Sequence, residues 1–148
     1  MAHVEKTPVR TVGKLWGSEQ WLVNNESYCL KILTLHPGFT SSLHYHRGKK
    51  ETFIIKKGFC FLELEKGIGV LGGNVLETVR LEQGDSITIS PGRKHRFYLP
   101  HASKKPCVIY EASTRHKDDD VVRETESQRL REDDPSMPLP QDEDGVSR

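Results

Sequence analysis

Short runs rich in Ile, Val, Leu, Phe and Tyr alternate with glycine- and proline-marked breaks along the first three quarters of the chain. Residues 28–35, 51–57, 59–66, 75–81, 86–89, 95–99 and 107–112 read as strands, separated by Gly38, Gly58, Gly72-Gly73, Gly84 and Pro91-Gly92. Two shorter segments, 20–23 and 43–46, extend the set. No apolar spacing of helical period holds for a useful length before Asp118. Strands in this number without crossover helices predict an all-β protein, a closed or sandwiched antiparallel barrel.

Period two along Glu51-Thr52-Phe53-Ile54-Ile55 places Glu51, Phe53 and Ile55 on one face. In Leu62-Glu63-Leu64-Glu65 the leucines face in and the glutamates are expected on a solvated outer face. The pattern changes after Thr114. Asp118-Asp119-Asp120 would suit the start of a short helix over 121–131, because acidic side chains favour a helix N-terminus. From about residue 133 the chain is too polar and too rich in proline to bury much, and is expected to be disordered or loosely attached.

Charge divides the chain at the same point. Over the full 148 residues the formal net charge is only +1, with 29% charged and 34% hydrophobic residues. Residues 115–148 hold 6 Lys/Arg against 11 Asp/Glu, which leaves a net of +6 on residues 1–114. The reading is a barrel over 1–114 with an acidic C-terminal extension over 115–148. No apolar stretch approaches the ~20 residues of a membrane span. The first residues lack the apolar core of a secretory signal, so a cytoplasmic protein is expected. Cys29, Cys60 and Cys107 are odd in number and widely spaced, which predicts buried free thiols. A charge of +6 without aromatic–basic clusters speaks against a nucleic-acid partner and suits a small anionic ligand.

The chemistry concentrates between Gly38 and Gly58. His44 and His46 are two apart, so on a strand both rings point to one face. Glu51 follows after a four-residue turn and opens the next strand, where its carboxylate can meet them. Two imidazoles and a carboxylate converging inside a barrel make a site for a first-row divalent metal. His95, after the Pro91-Gly92 turn, is the candidate fourth ligand.

These two segments resemble the paired signature of the cupin superfamily. The first motif, Gly, five residues, His-x-His, three or four residues, Glu, six residues, Gly, is matched by Gly38, His44, His46, Glu51 and Gly58. The second is matched by Gly84, Gly92 and His95, with Ser90 at its first proline position and Leu99 at its asparagine. The resemblance implies a double-stranded β-helix, or jelly roll, holding one divalent ion (Zn, Mn, Fe, Ni or Co). A narrower likeness, to the cupin domain of type II phosphomannose isomerases, lies in Leu15-Trp16-Gly17-Ser18-Glu19, His95-Arg96-Phe97, Tyr110-Glu111-Ala112-Ser113 and Asp118-Asp119-Asp120-Val121-Val122-Arg123. Those proteins have a shorter gap before the glutamate.

The resemblance implies aldose–ketose isomerisation of a sugar or sugar phosphate, mannose-6-phosphate being the type, and a homodimer. A cation at the site would stabilise an enediolate, and a base must move the proton between C1 and C2. Period two from Cys107 could face Glu111 inward, which makes it the first candidate for that base; Lys31, Tyr45, Tyr98 and His101 are weaker alternatives. Arg96, Arg93 and Lys94 around His95, with Arg47 in the turn, are the candidate holders of an anionic group, and Lys31 and Tyr45 candidate substrate contacts. Lys49 and Lys50 read as a solvated basic rim. The alternatives are a non-catalytic carbohydrate-binding or sensing cupin and an Fe(II) dioxygenase, since three histidines and a glutamate can equally hold Fe(II).

Overall fold

A computed structural model describes residues 6–66 and 75–131, so the expectation for the chain beyond 133 lies outside the described residues. Thirteen strands account for nearly all its regular structure: β1 (Arg10–Lys14), β2 (Gly17–Asn24), β3 (Cys29–Leu35), β4 (Phe39–Thr40), β5 (Leu43–His46), β6 (Glu51–Lys57), β7 (Phe59–Glu65), β8 (Leu76–Glu82), β9 (Ser86–Ile89), β10 (His95–Leu99), β11 (Cys107–Ser113), β12 (Val121–Thr125) and β13 (Gln128–Arg129). One sheet runs β1-β2-β3-β11-β6-β9. The second carries β12-β5-β10-β4-β13, with β7 pairing both β10 and β8. Every pairing is antiparallel. The fold is all-β, as the strand rhythm predicts, and it is the jelly roll that the cupin resemblance implies.

The alternation in the sequence becomes the wall of the barrel. β3 buries Cys29, Lys31, Leu33 and Leu35; β6 buries Glu51, Phe53 and Ile55; β11 buries Cys107, Ile109, Glu111 and Ser113. The core gathers these apolar residues with Trp16, Cys60, Leu62, Leu64, Leu81, Ile89, Phe97 and Leu99. Burying each Leu, Ile or Phe contributes roughly 1.5–3 kcal/mol, which drives closure of the two sheets. All three cysteines are buried and free. Gly38 shows why the motif needs its glycine: at φ 88° a Cβ would stand 2.4 Å from the His101 ring.

Two local expectations change. The helix over 121–131 does not form: Asp118–Asp120 make one 3-10 turn, and the chain then extends as β12 and β13. The backbone of β12 finds the free edge of β5, whereas the side chains there offer no apolar stripe for a helix to bury. Glu63 and Glu65 do face outward, but they are covered. Arg96 bonds the Glu63 carboxylate, and Lys94 lies 4.0 Å from Glu65, whose residue exposure is only 9%. Among the described residues no helix is long and apolar enough to cross a membrane.

Candidate metal centre

Each sheet brings half of the site. His44 and His46 stand on β5, and His95 is paired directly opposite His44 on β10. Glu51 opens β6 on the other sheet, beside Glu111 of β11 and Lys31 of β3, which face one another in register. One ligand-capable nitrogen from each of the three histidines lies within 4.8 Å of the others. Glu51 closes the group, with Oε1 3.2 Å from His46 Nε2 and Oε2 3.1 Å from His95 Nε2.

Electrostatics prepare these groups to be ligands. His44 and His95 each donate from Nδ1 to a backbone carbonyl, Ser42 and Arg93, at 2.9 Å. That fixes the tautomer and leaves Nε2 with its lone pair toward the cluster. Burial, then the neighbouring His95, drives His44 down to about 3, so its ring is neutral at ordinary pH. Burial would raise the Glu51 carboxyl, but His46, His95 and the Lys49 charge outweigh it and hold it well below the usual range. Glu51 Oε2 and His95 Nε2 are nevertheless buried without a hydrogen-bond partner among the described residues. Such atoms are costly unless something else satisfies them, and a divalent cation does so for three imidazoles and one carboxylate together. The donor set fits the metal.

The cluster opens on a cavity of about 230 Å³, small beside the ~300–1,000 Å³ of drug-sized sites. Leu33, Leu35, Phe53, Phe97 and Ile109 form its apolar lining, and Lys31, Lys49, Glu19, Glu111, Trp21 and His116 much of its polar lining. Lys49, read from sequence as a rim residue, is only 3% exposed. Its ammonium donates to Glu111 Oε2 at 2.6 Å and to His116 Nδ1 at 3.1 Å, and stands 3.1 Å from Glu51 Oε1. Burial works against the charge on Lys49, but Glu111 and Glu51 overcome it and raise the group. Lys31 is the opposite case. Burial lowers it despite Glu111 and Glu19, with Glu19 Oε2 3.9 Å away and the Trp21 ring 4.1 Å from the ammonium. His116, lowered to about 4 by burial and then by the two lysines, donates to the exposed Asp118 at 3.0 Å.

Thus His44, His46, Glu51, His95, Glu111 and Lys31 come together in one cavity. The other candidates do not line it. Arg96 alternates with His95 and so faces outward, onto Glu63. Arg93 donates to the Glu65 carbonyl and Lys94 bonds Glu124 at 2.6 Å, both outside the cavity. Tyr45 points away from its two histidine neighbours by the same alternation, and Arg47 is an exposed turn residue. Tyr98 is buried elsewhere against Phe61, and His101 donates to the Leu130 carbonyl. Lys49, Trp21, Glu19 and His116 also line the cavity, although the sequence pattern does not single them out. Trp21 and Glu19 carry the right period for β2, but Lys49 sits in a turn where no periodicity tells inward from outward.

A jelly roll whose facing sheets join three histidines and a glutamate at the head of an internal cavity is a β-barrel with the donor set of a divalent-metal site. This chain is a member of the cupin family, whose domain model matches residues 31–113. It is 28% identical to the D-lyxose ketol-isomerase of Cohnella laeviribosi, over 73% of this chain and 68% of that one. Identity to the D-lyxose/D-mannose isomerase of Thermosediminibacter oceani is 31%, over 66% of this chain and 61% of the relative. Among solved structures, the capsular polysaccharide assembling protein CapF of Staphylococcus aureus superposes with a TM-score of 0.64 at 14% identity, over 83% of this chain and 34% of that one. Oxalate decarboxylase of Bacillus subtilis gives 0.66 at 12% identity, over 78% and 30%. At those identities the structural likeness is one of fold.

Proposed function

We propose that this chain is a metal-dependent aldose–ketose isomerase acting on a free pentose or hexose, with D-lyxose and D-mannose as the first substrates to try. The observation that carries the reading is the buried Lys49–Glu111 pair set beside the histidine–glutamate cluster, in the same cavity. The two isomerase relatives support the reaction class.

His44, His46, Glu51 and His95 would hold the divalent ion, which when bound supplies Lewis-acid stabilisation of negative charge on the sugar oxygens. Glu111 takes the proton from C2 of the aldose and returns it to C1. The C2–H bond breaks, a C1–H bond forms, and the O2 proton passes to O1, with no net oxidant or reductant. Lys49 holds the Glu111 carboxylate in place through its 2.6 Å bond. Lys31, opposite Glu111 in register, presents a donor to a substrate oxygen. The apolar lining covers the carbon face of the sugar and excludes water.

Charge favours the free sugar over its phosphate. The cavity is lined by Lys14, Lys31, Lys49 and Arg123 against Glu19, Glu51, Glu111 and Asp118. Those side-chain charges balance, so the ion would supply the only net positive charge, and the arginines and lysine flanking His95 that would hold a phosphate lie outside the cavity. The test is anaerobic incubation of Mn-loaded protein in D2O with D-lyxose, D-mannose and their phosphates, followed by NMR. Ketose formation with deuterium incorporation from the free sugars is expected. Absence of exchange across the whole panel would overturn the isomerase reading in favour of a binding cupin. Turnover that required oxygen would favour a dioxygenase.

A further inference from the structure

Two of the three clustered histidines have a fixed acceptor behind them, and the third does not. His44 and His95 donate from Nδ1 to the carbonyl two residues earlier, at 2.9 Å in both cases. Among the described residues His46 Nδ1 is buried with no hydrogen-bond partner, and the carboxylate oxygen nearest to completing the pattern is Asp120 Oδ2 at 3.8 Å. Asp120 is itself anchored to the turn between His46 and Glu51. Its Oδ1 accepts from the Gly48 amide at 2.9 Å, its Oδ2 from the Lys49 amide at 3.2 Å, and its carbonyl from the Arg47 amide at 3.1 Å. Pairing of Val121 with His46 sets the register that brings Asp120 there.

We propose that Asp120 is a positioning residue of the metal centre. Its carboxylate clasps the turn that joins the ligands His46 and Glu51, and it is the acceptor for His46 Nδ1–H, which directs Nε2 to the ion. A carboxylate behind an imidazole ligand fixes the ring and increases its basicity, and losing such a partner costs about 10–100-fold in metal affinity. The residue lies outside the matched 31–113 segment, in the part of the chain read from sequence as an acidic extension. The proposal rests on the metal-site reading and not on the reaction, so it stands or falls apart from the choice of substrate.

The test is titration of the metal-free full chain with Co2+ against a competing chelator. Asp120→Asn is expected to weaken Co2+ binding about 10–100-fold, with a changed Co2+ absorption spectrum. Thr114→Ala is the control, because it removes only the Thr114 acceptor of the Lys50 amide (3.1 Å) on the other side of the same turn. Its affinity should stay within about threefold of the parent. An Asp120→Asn affinity within that range would overturn the proposal, and so would equal losses in both variants, since slackening of the turn alone would then suffice. Nitrogen-15 spectra of the Zn-loaded parent give a readout free of any folding defect: His46 must be the Nδ1–H tautomer, and a protonated Nε2 would overturn the assignment. Failure of the parent to bind any metal would sink the metal-site reading itself.

Discussion

Replacing Lys49 by methionine keeps an unbranched side chain, one atom shorter, and removes the charge that lies between two buried carboxylates. Glu51 Oε1 is 3.1 Å and Glu111 Oε2 2.6 Å from the ammonium, and neither carboxylate has more than 6% of its side chain exposed. Removing one partner of a buried ion pair costs about 3–5 kcal/mol, because the other charge is left uncompensated. Protonating one carboxylate sets a ceiling on that loss. Lifting a group from the ordinary value of about 4.3 costs about 4 kcal/mol at pH 7 and about 1 kcal/mol at pH 5. In a chain of this size each kcal/mol moves Tm by about 2–4 °C, so the variant should melt about 8–15 °C below the parent at pH 7 and about 2–4 °C below it at pH 5. The sign follows from linkage. In the variant a carboxylate has a folded pKa raised above its unfolded one, so the penalty grows as pH rises through that interval. Differential scanning calorimetry of chelator-treated parent and variant at the two pH values is the assay. A loss below about 1 kcal/mol at pH 7, or the same loss at both, would refute the placing of Lys49 between two buried charges.

Other substitutions separate the parts of the site. His44→Ala should reduce bound metal below about one tenth of the parent by elemental analysis, since a ligand is lost outright. Arg96→Ala should leave kcat/KM for the active sugar within about twofold, because its guanidinium faces Glu63 on the outer surface. Burial lowers His44 to about 3 and His116 to about 4, so their neutral forms favour the folded state above about pH 6.5 and that contribution is lost as pH falls toward those values. Accordingly, His116→Gln should flatten the dependence of Tm on pH between about 4 and 6.5 in the metal-free protein. Trp21→Leu removes both the ring under Lys31 and the indole donor to Glu19 (3.0 Å), and should lower kcat/KM roughly tenfold, read by steady-state kinetics.

Period-two alternation and glycine spacing determined the barrel, its inward faces and the gathering of His44, His46 and Glu51. His44, His46 and Glu51 are close in sequence, so strand geometry alone nearly dictates that they meet, and the inward face of β11 already held Glu111. The cations could not be placed in that way. Arg96 sits next to His95 and Lys49 close to Glu51 in sequence, yet Arg96 is turned outward by the pleat and Lys49 is drawn inward by Glu51 and Glu111. A turn has no period, and an ion pair between residues 62 positions apart leaves no trace in local pattern. The acidic segment after Thr114 shows the same limit from the other side. Its acidic start suggested a short helix over 121–131, but the open edge of β5 offered hydrogen bonds that local propensity does not register. Local pattern therefore decided which side chains face inward. Tertiary contacts decided where each charge is compensated, because that depends on partners brought together only when the two sheets close.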